Sequence, residues 1–191
     1  MSQLIQSFTD IREAEPTILE RRYGVIQTSH GRFEKITFRP WPKLISGIEA
    51  TWWDATRGGR ALQDECRLYF ASPISAPGFL AISYIRSTVR TTFATARMAN
   101  RLLDHIARLR NSDAIVCEAF NRRISDRLMK RWGWEQHLLA AKRRHWIKRF
   151  YGDYSSVAPL SEILGMPETQ DRSFAPTFPG LAGTSDAGIQ V

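Results

Sequence analysis

The chain has little cysteine: Cys66 and Cys117 are the only two in 191 residues. A disulfide scaffold is therefore excluded, and a reducing cytoplasm is the expected compartment. Long apolar runs are missing too. The longest, Gly78 to Ile85 and Ala114 to Cys117, fall short of the roughly 20 residues a membrane helix needs, so a soluble protein with no membrane partner is expected. The start, Met1 to Glu15, carries Asp10, Glu13 and Glu15 and no apolar block, which does not read as a secretory signal. The signatures C-x-x-C, H-E-x-x-H, G-x-S-x-G and G-x-x-x-x-G-K-[ST] are all absent, which weakens metal, serine-hydrolase and P-loop readings. Four scattered histidines add no ligand spacing, and no metal is expected.

What is plentiful is positive charge and a hydrophobic share of 43%, enough for one domain with a real core. The net charge of +8 is unevenly placed. Residues 86–149 hold 16 Lys and Arg against five acids, an excess of +11, while the rest of the chain sums to −3. A concentrated positive field attracts nucleic acid, an acidic membrane surface or the phosphates of a nucleotide-type cofactor, and charge alone does not choose among them.

Periodicity gives the elements. Ile11 to Tyr23 reads as an amphipathic helix stopped at Gly24, Gly24 to Ser29 and Arg32 to Arg39 as strands joined at His30-Gly31, and Lys43 to Trp53 as a helix. Ala61 to Ser72 fits both a helical and a strand period, with strand favoured for Cys66 to Ala71, and the apolar Phe79 to Ile85 follows as a strand. Thr91 to Arg110 is the clearest helix, with Phe93, Ala96, Ala99, Leu102, Leu103, Ile106 and Leu109 at helical spacing. A strand at Ala114 to Phe120, a helix from Asn121 to Gly133 and a strand at Arg144 to Tyr151 complete the body. The order strand, long helix, strand, helix, strand implies a sheet with helices packed on it, an α/β single domain in which the strands flanking the long helix run parallel. Residues 1–152 are read as that domain. Four prolines and four glycines beyond Gly152 mark 153–191 as a flexible tail, with Ser161 to Met166 as one helical turn docking on the body.

Two features carry candidate chemistry. At Ile85 to Ala99 a buried strand turns into the long helix, aiming free backbone N–H groups at the strand end, where Arg86 and Arg90 add charge. This is either a phosphate cradle or a capped helix with solvated arginines. The second is a stripe of Arg90, Arg97, Arg101 and Arg108 on one helical face, continued by Arg122, Arg123, Arg127, Lys130 and Lys142 to Arg144, with Asp104 placed to pair with part of it. His105 within the helix, and Cys117 within an apolar strand, read as structural groups.

Over residues 79–151 the sequence resembles the GNAT acyltransferase superfamily. Val89-Arg-Thr-Thr-Phe-Ala-Thr-Ala-Arg-Met-Ala99 keeps the apolar frame of the family's V-x-P-x-Y-R-x-x-G-x-G turn, Leu102-Leu103 follow at the right distance, and Asn121 with Gly133-Trp134 echo its N-x-x-A-x-x-L-Y-x-x-x-G-F. The resemblance implies a GNAT-like central mixed sheet and transfer of an acetyl group from acetyl-CoA to an amine. It implies cofactor contacts at Val89, Arg90, Ala94, Thr95, Ala96, Arg97, Met98, Ala99 and Asn121. Arg97 stands where the family has its first glycine. Either its guanidinium meets a phosphate oxygen or the turn is shifted. The family's thiolate-protonating tyrosine would fall near Leu128 or Met129, neither of which can donate a proton. Glu118 is the acid nearest the implied cleft and the candidate base, and its alternation on the strand decides whether it faces the cleft or a salt bridge. The rival expectation is an inactive GNAT-like or unrelated basic domain that binds nucleic acid or another anionic partner through the 86–149 surface.

Overall fold

A computed structural model describes residues 5–41, 63–119, 125–137 and 144–165. The expected helix at 43–53, the loop at 57–60, Asn121 and the residues beyond 165 lie outside that set. The elements in chain order are β1 (Gln6–Phe8), α1 (Glu15–Glu20), β2 (Tyr23–Ser29), β3 (Arg32–Arg39), β4 (Glu65–Ala71), β5 (Phe79–Ser87), α2 (Phe93–Leu109), β6 (Ala114–Ala119), α3 (Asp126–Arg131), β7 (Glu135–His137), β8 (Arg144–Arg149) and α4 (Leu160–Leu164). The strands form one mixed eight-stranded sheet in the order β1-β3-β2-β4-β5-β6-β8-β7. The fold is thus α/β, with a central mixed sheet flanked by helices, as expected. The β5-α2-β6 crossover makes its two strands parallel neighbours, and the other pairs are antiparallel.

The apolar stripe of α2 explains its place. Ala99, Leu102, Leu103, Ile106 and Ala107 are fully buried against Ile26, Ile36, Leu68, Phe70 and Leu80 on one face of the sheet. Thr92 caps the helix by accepting the Thr95 amide at 3.3 Å. Close packing under α2 also explains Gly24, where an added Cβ would run into the Phe70 ring. Because Phe70 is itself buried and cannot swing away, Gly24→Ala is expected to cost about 1–3 kcal/mol, measurable as a lower urea midpoint.

Several boundaries differ from the sequence reading. The first helix is confined to Glu15–Glu20, because Pro16 belongs in a first turn and 11–14 form turns. The three-residue strands β1 and β7 escaped periodicity altogether. The body does not end at 152. Val157 and Ile163 enter the core, Tyr154 stacks on Phe150 at 5.1 Å and donates a hydrogen bond to the Ser112 carbonyl at 2.8 Å. Residues 153–165 therefore pack on the domain, carrying α4 where a docked helical turn was expected.

Candidate functional site

Parallel pairing of β5 with β6 covers only four residues, from Phe79↔Ala114 to Ile82↔Cys117. Both strands continue past this point, β5 to Ser87 and β6 to Ala119. On the other side β5 remains paired with β4, but with a register shift: Ile82 faces Phe70 and Tyr84 faces Tyr69, leaving Ser83 as the extra residue of a bulge. The bulge turns β5 where it leaves β6. Among the described residues β5 has no paired β6 partner beyond Ile82, which leaves a gap between the two strands there. The carboxyl ends of parallel strands are where ligands bind in such sheets.

The α2 amino terminus lies beyond this gap, but an internal carboxylate fills its anion position. Asp64 accepts hydrogen bonds from the Thr92 amide, the Thr92 hydroxyl and the Thr95 hydroxyl, each at 2.8 Å. Burial pushes the Asp64 pKa up, yet the bonds from Thr92 and Thr95, with the charge of His30, outweigh it and hold the carboxyl below its ordinary range. The same knot ties in the β2–β3 turn: Thr95 accepts from the Gly31 amide at 2.7 Å and its carbonyl accepts from Thr28 at 2.9 Å. Among the described residues, the first-turn amides left without an acceptor are those of Phe93 and Ala94.

This capping fixes where the motif positions lie. With the helix starting at Phe93, the Ala96 amide is bonded to the Thr92 carbonyl at 3.1 Å, and the segment expected to be an open turn is helix. Thr95 and Ala99 are fully buried, so they contribute to the core rather than to a ligand surface. Met98 points to the opposite flank of α2, into a second cavity beside Phe33 and Ile163. Val89, Arg90, Ala94 and Arg97 are exposed.

Arg97 lines a cavity of about 630 Å3 between α2, the carboxyl end of α3, β8 and the 155–162 segment, together with Asn100, Arg101, Asp104, Arg131 and Lys148. Trp132 lines it as well, its ring 5.6 Å from that of Phe93, over which Arg131 lies. Part of the positive charge of the 86–149 segment is neutralised. Arg101 pairs with Glu162, Arg149 with Glu135, and Lys148 with Asp104 at 2.7 Å. Arg97 and Arg131 have no carboxylate partner among the described residues. Asn100 is 7% exposed and has no side-chain hydrogen bond there either. No sequence pattern singled out Asn100, Arg131 or Asp64, because their roles depend on partners distant in the chain.

Lys148 reaching Asp104 fixes which sheet face is which. Alternation puts Lys148, Trp146 and their β6 partners Ile115 and Cys117 on the α2 face, and Glu118 with its partner His145 on the other. Glu118 is half-buried on that far face, one residue past the last β5–β6 pair. Burial pushes the Cys117 thiol up to about 12, against a smaller opposing effect of Arg144, so it is no nucleophile. Burial, then Arg108, brings His105 down to about 4, leaving it neutral, with Arg108 in hydrogen-bond contact with Nδ1 at 3.0 Å. Among the described residues no three His, Cys, Asp or Glu side chains converge to hold a metal ion, and no helix is long and apolar enough to cross a membrane.

No protein-family model matches the chain, and no curated protein sequence does. Two solved structures bear a distant likeness. One is assigned to the GNAT acetyltransferases of Desulfovibrio desulfuricans, with 12% identity, TM-score 0.41, and coverage of 78% of this chain and 98% of that one. The other is nourseothricin acetyltransferase, with 11% identity, TM-score 0.39, and coverage of 77% and 99%.

Proposed function

We propose that the chain transfers an acyl group, acetyl in the simplest case, from acyl-CoA to an amine. The observation that carries this reading is that, among the described residues, β5–β6 pairing stops at Ile82 and Cys117 while β5 runs on to Ser87, leaving a slot with the carboxylate of Glu118 on the face away from α2. A thioester carbonyl lying in the slot from the α2 side would find hydrogen-bond donors where its oxygen gains charge. An amine approaching from the other face would meet Glu118 as proton acceptor.

The donor's phosphates fit this chain differently from the motif expectation. Asp64 already occupies the Thr92 amide, so the phosphates are left with the Phe93 and Ala94 amides and with Arg97 and Arg131 at the head of the cavity. Arg90 and Val89 flank the approach. Isothermal titration of the protein with acetyl-CoA tests the reading, and saturable one-to-one binding is expected. Arg97→Glu should weaken it at least tenfold, through loss of a charge-assisted contact and added repulsion. Binding that a polyphosphate of similar charge reproduces, and that salt removes, would sink it.

A second reading, nucleic-acid binding, is favoured by exposed cations that no acid neutralises among the described residues, namely Arg90, Arg97, Arg127 and Lys130. It predicts sequence-independent affinity that falls steeply with salt. Arg127→Glu with Lys130→Glu should weaken such binding while sparing acetyl-CoA.

A further inference from the structure

The cavity lined by Arg97 contains a hydrogen-bonding group with nothing to bond. Asn100 lies one turn further along α2, is 7% exposed, and has no side-chain partner among the described residues. Its amide atoms are not among those sealed from solvent, so what remains accessible of it faces the cavity that it lines. Buried polar groups are normally paired, and the charged neighbours do not serve here: Arg101 is held by Glu162, and Asp104 by Lys148. A side-chain amide offers a donor and an acceptor side by side, which matches the adjacent donor and acceptor on the edge of a nucleobase. The volume of about 630 Å3 is in the range of sites that enclose a small molecule.

Cations and aromatic rings stand around this amide. Arg97 and Arg131 line the same cavity and have no carboxylate partner among the described residues. Arg127 and Lys130, both exposed, carry the charge on along α3. Phe93 is 44% exposed although it is a large apolar side chain. Trp132 and Arg131 both pack on its ring, at 5.6 Å and 5.7 Å, and so provide aromatic and guanidinium planes of the kind on which unpaired bases stack.

Resting on the nucleic-acid reading and independent of acyl transfer, we propose that this cavity is a binding site for single-stranded nucleic acid. One nucleotide of the strand enters it, with its base hydrogen-bonded to Asn100 and its flanking phosphates on Arg97 and Arg131. A neighbouring base stacks on the platform of Phe93, Trp132 and Arg131, and the backbone runs on over Arg127 and Lys130. A duplex cannot use the site, because its base edges are paired and its bases stacked inside the helix. The site therefore selects for unpaired bases rather than for a sequence, since every base has a face to stack and an edge to bond. A basic surface acting through charge alone would need neither the buried amide nor the exposed ring.

The experiment is fluorescence anisotropy of the full chain with labelled oligomers of about 12 nucleotides: mixed-sequence single strands of RNA and of DNA, an RNA duplex, and a single strand made of abasic sites. Each is titrated at salt concentrations from about 50 to 200 mM. A base-bearing single strand should bind about tenfold more tightly than the abasic strand or the duplex. Phe93→Ala and Asn100→Leu should each remove that advantage and leave abasic binding and the salt dependence unchanged. Phe93 is at the surface, so its variant carries the test even where the core substitution Asn100→Leu does not fold. Arg97→Glu should instead weaken both kinds of strand and flatten the slope of log K against log salt by about 0.7 per lost phosphate contact. A base-dependent advantage in RNA, DNA or both supports the site and identifies the sugar it accepts. Equal binding of base-bearing, abasic and duplex oligomers overturns base insertion and leaves a basic surface for polyanions. Binding of none of them overturns the nucleic-acid reading itself, whereas the acyl-transfer reading stands or falls on acetyl-CoA alone.

Discussion

Lys148→Met should destabilise the fold by about 3–5 kcal/mol, the cost of leaving a buried charge without its partner. Lys148 and Asp104 are 12% and 10% exposed at the side chain, and Asp104 Oδ1 has no hydrogen-bond partner among the described residues. Burial raises the Asp104 pKa even in the intact pair, against the pull of Lys148 and Arg101. Removing Lys148 deepens that imbalance. Since the folded-state pKa of Asp104 lies above its unfolded value, the folded form takes up the proton first, and stability falls as pH rises through the interval between the two. The variant should therefore regain stability on acidification from neutrality, in urea titrations compared at pH 5 and pH 7. Adding Asp104→Asn should recover most of the loss at neutral pH. A single variant within 1 kcal/mol of wild type would mean that the pair is solvated.

Asp64→Ala should cost about 2–3 kcal/mol, since one carboxylate accepts three charge-assisted bonds and holds the α2 cap. Here the sign is opposite. The folded pKa lies below the unfolded one, so the contribution is present above about pH 4 and lost as pH falls through the lowered value. The variant should thus converge on wild type in acid. It should also gain more thermal stability from added sulfate than wild type does, because the freed Thr92 amide joins those of Phe93 and Ala94 in a vacant anion seat. Equal sulfate responses would show that the carboxylate does not occupy that seat.

These two groups mark the line between what was legible in the sequence and what was not. The long helix, the strands β2 to β6 and the parallel crossover follow from local apolar spacing, which burial on one face imposes on the chain itself. The state of the α2 amino terminus does not follow, because the carboxylate that fills it sits 28 residues upstream of Thr92 in the sequence. Likewise Glu118 reads as the acid nearest the cleft, but the sheet face it takes depends on strand register. The three-residue β7 has no periodicity to read. The basic stripe was visible, whereas the pairing of Arg101 with Glu162 and Lys148 with Asp104 needed the tertiary fold.

The four-residue seam between β5 and β6 has a mechanical meaning. It makes the sheet two plates, β1-β3-β2-β4-β5 and β6-β8-β7, welded along one short edge, with α2 rooted in the larger plate and braced on the smaller through Asp104 and Lys148. On the acyl-transfer reading, a donor held in the slot would press as a wedge against that weld, with the Asp104–Lys148 brace resisting the parting of the plates.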